Sequence, residues 1–142
     1  MKEYFSLDQK DRQHAIEIIE KTLSKRKDVV FAFLFGSFLD SPSFRDIDIG
    51  IYVNTITEKD IFDREVDIAR LVSKAIGKPL DIIEIKILNF APKSFLNNIF
   101  SRGRLLFSKN GRLLASLVED TSLEALANEH IARQSLRELI PA

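Results

Sequence analysis

Two neighbouring segments restrict the fold more than anything else in this chain. "DVVFAFLFG", Asp28 to Gly36, is a short continuous apolar run of β-branched and aromatic residues that stops at glycine. A run of this length and make-up is a central strand of a sheet. "RDIDIGIYV", Arg45 to Val53, alternates instead. Ile47, Ile49, Ile51 and Val53 point to one face, and Asp46, Asp48, Gly50 and Tyr52 to the other. The chain therefore builds a sheet in which one face carries two carboxylates a single residue apart. Burying a carboxylate costs several kcal/mol, roughly, unless something compensates it. That pair needs a reason.

The remaining pattern supplies helices for both ends of the chain. Asp8 caps a predicted first helix over roughly 9 to 26, with Ala15, Ile16, Ile19, Thr22 and Leu23 on its buried stripe. "TEKD", Thr57 to Asp60, resembles a capping box. It opens a helix to about Ile76 with Phe62, Val66, Ala69, Val72 and Ile76 inward and Gly77 as its stop. "LDIIEIKI", after Pro79, reads as a third strand. A helix follows from Pro92 to about Arg102, with Gly103 just past its end. "RLLF" is a fourth strand and "SKNG" a turn. The remainder is helical, and a second capping signal, "TSLE" at Thr121, leaves it as either one helix or two. The expected fold is α/β (α+β): a small mixed sheet of about four strands flanked by helices. One domain spans 1–142, with a core over about 28–108 and a helical segment over 111–140.

Composition narrows the function classes. Basic and acidic residues balance at 21 each, which disfavours a general nucleic-acid binder. There is no Cys, so disulfides and thiolate metal sites are excluded. The N-terminal "MKEYFSLDQKDRQH" lacks the apolar centre of a signal peptide, and no stretch is apolar enough for a membrane span. A cytoplasmic protein is expected.

Two carboxylates on one strand face stand roughly 6–7 Å apart at their Cβ atoms. Such a pair suits hard divalent cations, and magnesium takes few carboxylates together with water and phosphate oxygens. Paired cations are the usual device for in-line nucleotidyl displacement. Asp81, at the start of the third strand, is the candidate third acid, with Glu84 on the opposite face of that strand. Gly36 lets backbone approach a ligand, and Ser37 adds a hydroxyl beside amide groups that can cradle phosphate. The other reading of Asp46 and Asp48 is a solvated edge-strand face. A calcium loop fits poorly, because the residues between the acids are apolar and no bidentate Glu follows.

With these residues in place, the chain resembles the DNA polymerase β-like nucleotidyltransferase superfamily. Gly36-Ser37, a short spacer and Asp46-Ile47-Asp48 are similar to its signature, and Asp81 in "LDIIEI" matches its third acidic position. "LNNIFSRGRLLFS" resembles the helix–Gly–strand segment that follows. The small size resembles the minimal nucleotidyltransferase branch, many of whose members are antitoxins paired with HEPN ribonuclease toxins. The resemblance implies that Asp46 and Asp48 bind two Mg2+ ions. It also implies that Asp81 binds one metal and helps deprotonate an acceptor, and that Gly36 and Ser37 hold the β- and γ-phosphates of ATP or another NTP. It implies transfer of AMP to a Tyr of a HEPN partner. Transfer to a small molecule such as an aminoglycoside, or neutralisation by contact alone, remain alternatives.

The resemblance has departures. Phe38, Leu39, Asp40 and Ser41 follow Gly36-Ser37, where relatives often carry a small or basic residue and a second glycine. Arg45 stands where a Ser often precedes the first Asp. Phe31, Phe33, Phe35 and Phe38 read as core rather than a base-stacking platform, and of these Phe38, beside the turn, keeps base stacking as its alternative. Arg102, Arg104 and Lys109 read as a solvated basic cluster, and His14 and His130 as ordinary helix residues.

Overall fold

The computed structural model describes residues 5–6, 8–41 and 43–139. Its elements are β1 (Phe5–Ser6), α1 (Gln9–Ser24), β2 (Val29–Phe35), α2 (Ser37–Asp40), β3 (Ser43–Phe44) and β4 (Ile47–Val53), followed by α3 (Ile61–Ile76), β5 (Ile83–Ile87), α4 (Lys93–Arg102), β6 (Arg104–Ser108) and α5 (Gly111–Leu139). Four strands form the main sheet in the order β5-β4-β2-β6, and β1 pairs with β3 in a separate two-stranded ribbon. Only the β4–β5 pairing is parallel within the main sheet; its two other pairings are antiparallel. The parallel step is crossed by the long helix α3, as a crossover connection requires.

Each face of the sheet is covered. Ala32, Leu34, Ile47, Ile49, Ile51 and Val53 face α1 and α3, which contribute Ile16, Ile19, Leu23, Ile68 and Val72. Phe31 and Phe33 face the other way, against Leu96 and Ile99 of α4, with Leu114 and Leu117 of α5 behind. Fully burying each such side chain contributes about 1.5–3 kcal/mol. Gly50 and Gly103 permit this second layer. A Cβ on Gly50 would press Leu88 at 3.2 Å, and one on Gly103 would meet the Ile99 carbonyl at 2.6 Å and the Leu34 carbonyl at 2.9 Å.

Local signals placed most termini. The Asp8 carboxylate accepts from the Asp11 amide at 2.7 Å and caps α1. Gly77 ends α3 in the left-handed region at φ 68°. Asn89 finishes the sheet: its amide group exchanges two hydrogen bonds with the backbone of Val53, at 2.7 and 3.0 Å.

Several expectations are corrected. "TEKD" forms a 3₁₀ turn over Glu58–Asp60, with the Thr57 hydroxyl donating to Asp60 at 2.7 Å, and α3 starts only at Ile61. Phe62 lies on the flank of the α3 stripe at its first turn, and is 73% exposed. "TSLE" does not divide the C-terminal segment, which is one helix from Gly111 to Leu139. There the Thr121 hydroxyl donates to the Val118 carbonyl at 3.2 Å, a bond available inside a helix. The expected end of this segment at residue 140 lies outside the described residues. Among the described residues, no helix is long and apolar enough to cross a membrane.

Candidate active site

The end of β2 and the start of β4 meet at the site. Phe35 pairs with Asp48, Phe33 with Gly50 and Phe31 with Tyr52. Cross-strand partners share a face, so Asp48 lies on the face covered by α4. It sits where that cover ends. Phe35 meets Phe95 of α4 edge-on at 5.9 Å, and Asp48 beyond it is half-buried. Asp46 directly precedes β4 and is half-buried as well.

Gly36 follows β2 with φ 77° and ψ −161°, a conformation that strongly favours glycine. Its missing side chain has a second consequence. A Cβ there would overlap the Asp48 carboxylate and stand 3.1 Å from its Cγ. The carboxylate thus packs directly onto the backbone of the glycine turn. Ser37 opens α2, a single helical turn not foreseen from the sequence. The Leu39 and Ser41 amides close it by donating to the Gly36 and Ser37 carbonyls at 3.1 and 2.9 Å.

Phe38 is no base platform. It is fully buried, edge-on to Phe44 at 4.8 Å, and the Arg12 guanidinium lies over both rings. Phe38, one of the residues that depart from the resembled signature, therefore anchors the turn in the core. Phe31, Phe33 and Phe35 pack as expected. Lys109 donates to the Arg26 carbonyl at 2.6 Å, Arg104 reaches Gln13 at 3.4 Å, and His14 and His130 are exposed.

The third acid differs from its expected place. Asp81 is exposed on a 3₁₀ turn, Leu80–Ile82, immediately before β5 rather than on a strand. The parallel ladder sets Ile83 beside Ile47 and Glu84 beside Asp48. Glu84, which strand parity set apart from Asp81, thus shares the ladder position of Asp48. A turn before the strand breaks the alternation on which that parity rested. Among the described residues no three His, Asp or Glu side chains converge as a metal-holding group. Asp48 packs against Gly36, and Asp46 lies two residues before it in the chain; Asp81 stands at the same end of the sheet but outside that contact.

Residues 17–112 match the sequence model of the family described as Polymerase beta, Nucleotidyltransferase. The chain belongs to that family. Nucleotidyltransferases of this family provide its catalytic class, and the mixed sheet with its flanking helices is their fold. None of the curated proteins matches the chain. Among solved structures, it is similar to a chain of the tri-AMPylated HEPN toxin in complex with MNT antitoxin from Shewanella oneidensis. Identity there is 17%, covering 89% of this chain and 96% of that one, with a TM-score of 0.60. A toxin–antitoxin complex with AMP-PNP gives 15% identity, 89% and 95% coverage, and a TM-score of 0.57. The MntA–HepT toxin–antitoxin gives 14%, 92% and 97%, and 0.54. These neighbours are chains of toxin–antitoxin complexes, and they share this fold.

Proposed function

We propose that this nucleotidyltransferase moves AMP from ATP to a tyrosine hydroxyl of a HEPN ribonuclease toxin, acting as its antitoxin in the cytoplasm. The observation that carries the proposal is the packing of the Asp48 carboxylate against the Gly36 turn. Asp48 would serve there as an anionic metal ligand beside backbone amides that can donate to phosphate oxygens. The described neighbours, a tri-AMPylated HEPN toxin with its MNT antitoxin and a complex with AMP-PNP, support the partner and the nucleotide.

The residues present fit divalent magnesium. Asp46 and Asp48 offer oxygen donors one residue apart and half-buried, and a triphosphate would supply further oxygens. Asp46 and Asp48 would hold two ions, with Asp81 as the third ligand from the turn before β5. When bound, the ions neutralise charge on the α-phosphoryl group and on the departing pyrophosphate. Gly36 and Ser37 bind the β- and γ-phosphates. The acceptor oxygen attacks the α-phosphorus, the bond to the β-phosphate bridge breaks, and Asp81 receives the hydroxyl proton.

Label transfer tests this reading. The protein is incubated with magnesium, ATP labelled at the α-phosphate and the product of the adjacent reading frame, with Asp48→Asn as control. Label on that product, absent in the control, is the expected result. Tight binding without label would replace it with neutralisation by contact.

A further inference from the structure

The four-residue helix α2 cannot hold its own shape. Helix nucleation is unfavourable, and a single turn leaves its last carbonyls without intrahelical donors. One of them, the Phe38 carbonyl, accepts from Arg12 Nη1 of α1. The same guanidinium lies 5.0 Å from the Phe38 ring centroid and 5.4 Å from that of Phe44. Phe38 and Phe44 are both fully buried and pack edge-on. One side chain from α1 therefore grips α2 through its backbone and its buried ring, and grips β3 through Phe44.

We propose that Arg12 is a positioning residue for triphosphate binding, holding α2 so that the Gly36–Ser37 turn keeps its place beneath Asp48. The proposal rests on the reading of that turn as the β,γ-phosphate site. Residue 38 is two positions from Gly36, so movement of α2 is passed directly into the turn. The Asp48 contact tolerates little movement, because its carboxylate already occupies the volume of a Gly36 side chain. In this role Arg12 acts through α2 and the turn. Its effect is confined to the phosphates that the turn holds, and a ligand lacking them does not sense it. Lysine could donate to the carbonyl but could not lie flat over both rings.

Calorimetric titration with a non-hydrolysable ATP analogue and with AMP, in magnesium, separates this role from a general one. Arg12→Met is expected to weaken the analogue by about tenfold, the loss of one charged hydrogen bond, and AMP by less than about twofold. Arg12→Lys should fall between Arg12→Met and the unaltered chain. If Arg12→Met does not fold, the same split between analogue and AMP in Arg12→Lys decides. Equal weakening of both ligands, or unchanged analogue affinity, overturns the positioning role. In that case a Gly36→Ala chain that still loses the analogue shows that the phosphate site itself stands. Failure of the unaltered chain to bind the analogue overturns the site reading and the positioning role together.

Discussion

The carboxylate of Asp48 occupies the space in which a side chain on Gly36 would begin. The last pair of the β2–β4 ladder, Phe35 with Asp48, brings the strand acid alongside the first residue after β2. A strand acid and a turn glycine distant in sequence thus form one surface.

Gly36→Ala tests that contact. The substitution forces an L residue to φ 77° and drives a methyl group into the carboxylate. It should lower stability by about 1–3 kcal/mol and lower transfer far more than that loss of folded protein accounts for. Melting curves and label-transfer rates on the same preparations make the comparison. Near-normal transfer would separate the turn from the site.

Asp46→Asn and Asp48→Asn each remove a charge without changing shape. Transfer should fall by about 10²-fold or more in each, with the chain still folded. Full activity in either chain would sink the metal assignment of that residue.

Asp81 and Glu84 can be separated by kinetics. Asp81, exposed before β5, is expected to serve the acceptor step, so Asp81→Asn should lower kcat by about 10²-fold with little change in triphosphate affinity. Glu84 shares the ladder position of Asp48, and Glu84→Gln should alter the rate by less than about fivefold. The reverse order would make Glu84 the third acid.

Asp28 governs stability rather than transfer. It accepts two hydrogen bonds from Arg26, at 2.9 and 3.0 Å, and one from Arg64 at 2.8 Å, joining the end of α1 to α3. The hydrogen bond from Arg26 holds its carboxyl below the usual range, against an opposing effect of burial. The folded value is the lower one, so this stabilisation is complete above the ordinary carboxylate pKa of about 4 and is lost as pH falls through the depressed value. Asp28→Asn should cost about 1–2 kcal/mol at pH 7, since the pair is only partly buried. The gap in melting temperature between the two chains should narrow as pH drops below about 4. A gap independent of pH would place the effect in packing instead.

Much of the architecture is legible in local pattern. A continuous apolar run gave β2, strict alternation gave β4 and its acid face, and Asp8, Gly77 and Gly103 marked helix ends, because these depend on a residue and its near neighbours. The family signature was legible for the same reason. Tertiary structure decided the rest. Periodicity names a face but not the strand register that seats Glu84 beside Asp48, nor the 3₁₀ turn that takes Asp81 off the strand. It favoured the core for Phe38 but left base stacking open, since its burial depends on Phe44 and on Arg12 from a distant helix. The Asp48–Gly36 contact arises only when two strands close against each other, and the packing of a carboxylate into the space of an absent side chain has no local signal.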